Sequence, residues 1–476
     1  MSEAERVGKA AVAPARANAP PAAQPLQTGM FGFGALLLTL STITPAASVF
    51  IIGSQVIAQA GSGAAWSFLI AAVVCVPVAL IYAELSSAFP LTGQEYTMVG
   101  AVLGPSWGFM ALGINIVGGA FTQAVTALGL ALYLGVAIPG APMLPTALVA
   151  MLVATLIPIL NVRFNALVTG LFLAAEMAAL LAVAWLGAVH MRPEAARILM
   201  HPDVLGAAGN LTRAPVSLIV LGAAGAIFAY NGFGAAASFG EETHDPRRSI
   251  AAVVLWALAI TVAAEVLPVL ALLIASGDTP GVIGAASPVR AFIALGGGPF
   301  AKVVSLGVAL AIVNAMIATT LINARQLYAT GRDAVWPAAW NRQLTRTHGR
   351  FNSPWVATLV SGALAGAMCF VPLATLVVLT ATGIIGTYIL VAVSALAGRA
   401  TGSTDHGHYR MPLFPLGPIL ALAALVAIVW GDWLDPASGR PSLIANLAIM
   451  GGFALYYLVF LRGRRAFALR GPEGAL

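Results

Sequence analysis

Long apolar segments follow one another along almost the whole chain, and this pattern restricts the folds that are open to it. Only 8% of the 476 residues are charged and 60% are hydrophobic, with a mean hydropathy of +0.93. A soluble domain carries about 25% charged residues, which cover its surface in water. The composition therefore excludes a soluble enzyme, a secreted disulfide scaffold, a disordered chain and a nucleic-acid binder.

The apolar segments are continuous, which favours helices over the alternating strands of a β-barrel. A helix needs roughly 20 apolar residues to span a bilayer. The sequence therefore predicts an all-α, multi-pass protein of the cell membrane with about 12 transmembrane helices. The predicted spans are residues 31–60, 64–89, 104–134, 143–161, 165–188, 215–240, 250–276, 299–330, 354–371, 373–397, 414–434 and 441–462.

The distribution of positive charge predicts the orientation in the membrane. With the N-terminus in the cytoplasm, 17 of the 23 Lys and Arg residues fall on the inner side. Positive residues accumulate in cytoplasmic loops, so we expect both termini to be cytoplasmic. Residues 1–29, rich in Ala and Pro, are predicted to form a disordered cytoplasmic tail, residues 30–464 a single transmembrane domain, and residues 465–476 a cytoplasmic C-terminal tail.

Two of the predicted spans are interrupted. Pro45 lies in the middle of span 1, in the sequence STITPAASVF, where it removes a backbone donor. Span 6 contains the sequence FAYNGFG, whose asparagine and two glycines weaken a helix. Each interruption alone is also compatible with a proline kink or with close helix packing. Because spans 1 and 6 are five apart, the second would be inverted relative to the first, and such a pair indicates the midplane site of a transporter.

We expect the unwound backbone at these two points to hold the carboxylate and ammonium groups of a substrate. A half-helix beginning after Ser48 would present amide donors to a carboxylate. Carbonyl groups near Tyr230 would accept hydrogen bonds from an ammonium group. The predicted substrate-binding residues of the two spans are Thr44, Pro45, Ala46, Ala47, Ser48, Phe228, Tyr230, Asn231 and Gly232.

Span 3 carries a polar stripe on one helical face, formed by Asn115, Gly119, Thr122, Gln123 and Thr126. Such a stripe faces either a cavity or a neighbouring helix. We therefore add Asn115, Gly119 and Gln123 to the predicted substrate-binding residues, with helix–helix contact as the alternative.

Placing an ionisable side chain inside a span costs free energy, so each such residue is a candidate functional residue. Glu176 lies ~17 Å into span 5, close to the midplane. It is a candidate coupling residue, either as a proton carrier or as a counter-ion for a cationic substrate, and the alternative is a hydrogen bond between packed helices. Glu265, in span 7, is expected to bond the carbonyl groups freed by Pro268. Glu84 and Arg325, at the inner ends of spans 2 and 8, are one candidate for an ion pair.

Three motifs follow one another along the chain. Residues 82–96, between spans 2 and 3, read YAELSSAFPLTGQEY. Residues 228–233 read FAYNGF and are followed at 240–248 by GEETHDPRR. Residues 323–333 read NARQLYATGRD, with Pro337 and the sequence SPW at 353–355 after them. Together, from span 1 to span 9, these motifs resemble those of a known family, the amino acid–polyamine–organocation (APC) permeases.

This resemblance implies a LeuT-like fold with a 5+5 inverted repeat and discontinuous helices 1 and 6. Repeat one would cover residues 30–190, repeat two residues 213–398, and two extra helices residues 412–464. It implies a secondary active transporter for an amino acid or related amine that works by alternating access, with a proton as the candidate coupling ion. The sequence contains no enzyme motif and no metal-ligand spacing, so we expect no cofactor, metal or enzymatic activity.

The resemblance also implies roles for single residues. Phe228 would be an aromatic gate, and the hydroxyl pair Thr319 and Thr320 would be a weak candidate for a sodium site, with packing as the alternative. The chain departs from the family pattern at two positions. Gln94 replaces the usual second glycine of the first motif, and Glu176 stands where several relatives have a lysine.

A carrier or channel for an inorganic cation on the same scaffold is the alternative function. It would need rings of carbonyl groups or charges along a continuous pore. The two midplane interruptions and the scarcity of charge favour a closed site for a small molecule. The expected partners are therefore this substrate and the lipid bilayer.

Overall fold

The computed structural model describes residues 32–91, 93–138, 140–159, 162–206, 208–277, 279–351, 353–464, 467–471 and 474–475. The predicted tail at 1–29 and part of the tail at 465–476 lie outside these residues. In the described part the chain is almost wholly helical, which confirms the all-α class. The helices are α1 Gly32–Ile43, α2 Pro45–Ala47, α3 Ser54–Ala60, α4 Ala64–Ala88, α5 Glu95–Leu103, α6 Pro105–Ala137, α7 Met143–Leu156, α8 Val162–Val189, α9 Ala195–Met200, α10 Val216–Tyr230, α11 Pro246–Ser276, α12 Pro280–Ile283, α13 Pro288–Ala294, α14 Gly298–Arg332, α15 Ala338–Leu344, α16 Trp355–Met368, α17 Leu373–Thr401, α18 Leu416–Leu434 and α19 Gly439–Tyr456.

Short irregular helices and strands complete the described chain. π-Helical turns cover Ser48–Gly53 and Tyr457–Leu461, and 3-10 helices cover Gly61–Gly63, Ile157–Ile159 and Phe233–Glu242. Two small antiparallel pairs join β1 Asp203–Leu205 to β2 Leu211–Arg213 and β3 Arg470–Gly471 to β4 Gly474–Ala475.

Nine helical stretches among the described residues are long and apolar enough to cross a membrane. The first of them runs over 57 residues from Gly32 to Ala88 and contains a sharp turn after α3. At this turn Gly61 has a φ of +60°, and a Cβ atom there would lie 2.0 Å from the carbonyl oxygen of Asp203. Only glycine fits so close to another backbone, so the helix ends here. Met143–Ile159 and Trp355–Met368 are shorter apolar helices.

The first interrupted segment lies inside the molecule, and the second, at Asn231 and Gly232, is partly buried. All residues from Ile43 to Ser54 are buried. Helix α1 packs against α8, α11 and α14, and α10 packs against α4 and α17. Backbone groups that are not paired within a helix are tolerated at membrane depth only where protein or a water-filled cavity surrounds them, and the surrounding helices meet this requirement.

The outer face of the helices carries large apolar side chains. Val73, Leu171, Leu181, Trp256 and Val303 are each more than 60% exposed. Apolar surface of this extent is unfavourable in water and favourable against lipid tails. The exposed residues therefore support the multi-pass membrane protein predicted from composition.

An ion pair ties the end of α4 to the end of α17, and it is not the expected pair of Glu84 with Arg325. Glu84 binds Arg399 instead, with nitrogen–oxygen distances of 2.6 and 2.7 Å. The guanidinium group of Arg325 lies 5.2 Å from the ring centre of Phe239. The expectation was wrong. The sequence indicates how deep each residue lies in the membrane, but it does not indicate which helices are neighbours.

Candidate functional site

The first interruption is centred on Thr44. This residue has a φ of +50° and a ψ of 75°, in the left-handed region that non-glycine residues seldom occupy. Its hydroxyl group donates to the carbonyl oxygen of Ser41 at 2.7 Å. Pro45 then starts α2, where its missing N–H group costs nothing because the first amides of a helix have no partner within it. The second half-helix thus begins at Pro45, and the expectation that it begins after Ser48 was wrong.

Glu176 contacts this interruption directly. The amide of Ala46 donates to Oε1 of Glu176 at 2.7 Å, and both residues are buried. Ala46 lies in the first turn of α2, so its amide belongs to the positive end of the half-helix. A carboxyl group from α8 therefore occupies a donor that the proline break leaves free.

Ser48 connects the two interrupted helices. Its Oγ donates to the carbonyl oxygen of Ala229 at 2.9 Å and lies 3.3 Å from the carbonyl oxygen of Ile43. Glu265 is buried beside this hydroxyl group. The expected hydrogen bonds between Glu265 and carbonyl groups freed by Pro268 are not formed within the described chain, because the side chain is directed towards the first interruption.

The second interruption follows Tyr230. Asn231 is extended, with φ and ψ of −65° and 145°, and Gly232 has a φ of +125°. A Cβ atom on Gly232 would lie 2.8 Å from Cγ1 and 3.2 Å from Cα of Ile43. The two interruptions therefore touch each other, and glycine is required for both the conformation and the close approach.

Two cavities open at the interruptions. The central cavity lies between them and α6. The Glu95 cavity, lined by Glu95, Tyr82 and Asn115, continues from it towards the end of the molecule where α1 begins and α14 ends. Both cavities are lined by Thr42, Thr122, Asn231, Gly232 and Thr319, so they are adjoining parts of one space.

Eight of the predicted substrate-binding residues line this space. Those at the central cavity are Thr44, Ala47, Ser48, Phe228, Asn231 and Gly232. Asn115 and Gly119 line the Glu95 cavity, together with Asn231 and Gly232. Their part in substrate binding stays a prediction, but the structure brings residues of spans 1, 3 and 6 together as the sequence reasoning required.

The other predicted residues are engaged elsewhere. The amide of Ala46 faces α8, as its bond to Glu176 shows, and Pro45 lines neither cavity. The hydroxyl group of Tyr230 donates to the carbonyl oxygen of Phe68 at 3.1 Å, away from both cavities. Gln123 donates to Oγ1 of Thr320 at 2.6 Å and joins α6 to α14.

The sodium candidates make local bonds. The hydroxyl groups of Thr319 and Thr320 donate to the carbonyl oxygens of Ala315 and Met316, at 2.8 and 2.6 Å. Thr319 lines both cavities, whereas Thr320 does not. Thr319 therefore lies at the cavity, whereas Thr320 lies at the contact of α14 with α6.

The sequence analysis missed an acidic and aromatic group in the Glu95 cavity. Oε1 of Glu95 accepts from the hydroxyl group of Tyr82 at 2.8 Å, and Oε2 accepts from Nδ2 of Asn115 at 2.8 Å. Tyr388 donates to Oδ1 of Asn231 at 3.0 Å. Tyr82 and Glu95 belong to the motif at 82–96, which served there as a family signature and not as a site. Tyr388 lies in an apolar helix and carries no comparable signal.

Comparison with known proteins identifies a family and relatives that match most of the chain. The family model described as amino acid permease matches residues 34–463. The chain is 23% identical to the methylthioribose transporter of Bacillus subtilis (strain 168), covering 90% of this chain and 92% of that protein. It is 26% identical to the branched-chain amino acid permease BcaP of Lactococcus lactis subsp. cremoris, covering 89% and 92%. It is 25% identical to the serine/threonine exchanger SteT of Bacillus subtilis, covering 89% and 94%.

Proposed function

The chain belongs to the amino acid permease family, and on this basis we propose that it is a secondary active transporter that moves an amino acid or a related amine across the cell membrane by alternating access. The observation that carries the proposal is the meeting of two interrupted helices at one cavity, where Ile43 and Gly232 touch. Interrupted helices offer backbone donors and acceptors to a ligand at membrane depth, and transporters use them for this purpose. The relatives are named for different molecules, namely methylthioribose, branched-chain amino acids, and serine or threonine.

The substrate site proposed here is the central cavity. Ala47 and Ser48 lie at the start of the second half-helix, whose positive end favours a carboxylate. Carbonyl groups where α10 ends would accept from the substrate's ammonium group, and Phe228 would close the cavity as an aromatic gate. Alternating access would then shift the two interrupted helices against α6 and α14.

The topology that we propose has twelve crossings and both termini in the cytoplasm. The stretch of 57 residues from Gly32 to Ala88 is ~85 Å long as helix. A bilayer core is about 30 Å thick, so this stretch supplies two crossings, separated at Gly61. The two shorter apolar helices supply one each if the bilayer thins locally. The interruptions then fall in crossings 1 and 6, as an inverted 5+5 repeat requires.

The coupling residue that we propose is Glu176, with a proton as the coupling ion. Its support is the hydrogen bond to the amide of Ala46, which places the carboxyl group on the segment that must move during transport. A carboxyl group that gains and loses a proton there would change the charge next to the substrate site in each cycle. The hydroxyl groups of Thr319 and Thr320 are bonded to their own helix, which gives a sodium site less support.

Reconstitution tests the proposed function. Purified protein in liposomes is offered a panel of radiolabelled amino acids and amines, with ion conductance measured in parallel. We expect uptake or exchange of at least one member and no steady conductance. Conductance without uptake of any member would instead support the inorganic-cation alternative.

Gly232→Leu tests the site within the same assay. Because a side chain at this position is strained and meets the backbone of Ile43, we expect a folded protein that no longer transports. Gly366→Leu is the matched control, since nothing lies within 4 Å of a Cβ atom there. Wild-type uptake by Gly232→Leu would remove the site from the second interruption.

A further inference from the structure

Glu95 is an acidic residue in a cavity that offers it no cation. Its side chain is 8% exposed and lines the cavity that adjoins the central one. No Lys, Arg or His occurs among the described residues that line this cavity. By contrast, Glu84 in the preceding helix is bound by Arg399. Burying a carboxylate costs free energy unless a cation or several hydrogen bonds compensate its charge. The described lining of this cavity supplies no such cation.

The carboxylate is held in a fixed orientation. Tyr82 from α4 donates to one oxygen and Asn115 from α6 donates to the other, each at 2.8 Å. Both donors are neutral, so they orient the group without cancelling its charge. A carboxylate has about four acceptor positions, and the two bonds leave capacity for a further donor from the cavity.

Aromatic rings lie next to the carboxylate. Tyr82 and Tyr388 line the cavity with their ring centroids 5.7 Å apart in an edge-to-face arrangement. They are also the titratable groups beside Glu95 on the neighbouring helices. Ring faces attract ammonium and guanidinium groups. A carboxylate beside two tyrosines therefore has the chemistry of an amine-binding site.

The Glu95 cavity adjoins the central cavity along α6, which suits a molecule with two polar ends. Asn115, which binds Glu95, precedes Thr122, which lines both cavities, by seven residues of α6. Seven residues of helix correspond to ~10.5 Å. A substrate with its carboxylate at the first interruption would extend its side chain along α6 towards Glu95.

We propose that Glu95 recognises a positively charged group of the transported molecule, so that the substrate class is a cationic amino acid. This inference rests on the proposed function and adds the charge of the substrate to it. Glu95 acts here as a specificity residue: it selects among amino acids by their side chains, while the interruptions hold the groups that all amino acids share.

L-Lysine and L-norleucine form the test pair, because they differ in the side-chain ammonium group and share the four-carbon stem. Each is supplied as a radiolabelled substrate to liposomes containing the wild-type protein, Glu95→Gln or Glu95→Asp. Removing a hydrogen bond to a charged group weakens the binding affinity by on the order of tenfold or more. We expect the wild type to prefer lysine by at least this factor, Glu95→Gln to lose the preference, and Glu95→Asp to retain part of it.

Glu194→Gln is the control, since this carboxylate is exposed in a loop and should leave the preference unchanged. Thermal unfolding of each variant confirms that it is folded. Norleucine transport without preference for lysine, or an unchanged preference in Glu95→Gln, overturns the inference and leaves the proposed function intact. If neither compound nor any other amino acid is transported, the proposed function itself fails and the inference fails with it.

Discussion

Replacement of Arg399 should destabilise the protein more than any replacement of an exposed arginine. Its Nε and Nη2 bind the two oxygens of Glu84 at 2.7 and 2.6 Å, and Nη2 also donates to the carbonyl oxygen of Met411 at 2.9 Å. The amide of Met411 completes the group with a bond of 2.8 Å to Glu84. The guanidinium group lies 4.3 Å from the ring centre of Phe414. One side chain thus joins α4, α17 and the segment before α18.

The magnitude follows from burial. The side chains of Glu84 and Arg399 are 2% and 16% exposed. Removing one partner of a buried ion pair costs about 3–5 kcal/mol, because the other charge is left uncompensated. In a chain of this size each kcal/mol corresponds to at most about 2 °C in Tm. Arg399→Gln should therefore lower Tm by on the order of 5 °C, and the double variant with Glu84→Gln should lose less than the sum of the two single changes.

The chain contains its own reporter for this measurement. Cys75 and Cys369 are its two cysteines and both are buried. A dye that fluoresces on reaction with thiols will therefore report unfolding in detergent. Arg410→Gln is the control, since the pair of Arg410 with Asp405 is 54% and 61% exposed and such pairs contribute about 0–1 kcal/mol. Equal Tm values for Arg399→Gln and Arg410→Gln would refute the reasoning.

Two further predictions follow from the proposed coupling and topology. Glu176→Gln keeps an acceptor for the amide of Ala46 but cannot titrate. Substrate exchange should therefore survive, while accumulation driven by a pH gradient should be lost. Wild-type accumulation by this variant in liposomes would show that Glu176 has a structural role. Gly349→Cys, at an exposed position with nothing within 4 Å of its Cβ, should react with an impermeant maleimide only from the cytoplasmic side, and labelling of intact cells from outside would contradict the proposed orientation.

The sequence predicted the interruptions because their causes are local. Proline at position 45 cannot donate a backbone hydrogen bond, and glycine at 232 adopts a φ of +125° that other residues avoid. These properties depend on the residue and its neighbours alone. The stripe on span 3 was equally readable from helical spacing, and Asn115 and Gly119 do line a cavity. The same spacing could not separate Gln123, which joins two helices, from the residues at the cavity.

Contacts between distant segments could not be predicted in this way. The bond between Ala46 and Glu176 joins residues 130 positions apart, and that between Glu84 and Arg399 joins residues 315 positions apart. Both depend on which helices are neighbours, which hydropathy does not encode. Tyr230 illustrates a finer limit. It precedes the second interruption by one residue, so it still has helical geometry and its side chain is directed towards α4.

The coupling proposed for Glu176 would link a proton to a substrate carboxylate through the bond between Glu176 and Ala46. The positive end of the half-helix at Pro45 attracts anions, and Glu176 occupies its free amide. When Glu176 is ionised, its charge opposes a second carboxylate at the same helix end. When it carries a proton, its carbonyl oxygen still accepts from Ala46 and the opposing charge is gone. Binding of a proton would then strengthen binding of the carboxylate, and by linkage the substrate would strengthen binding of the proton to the same degree.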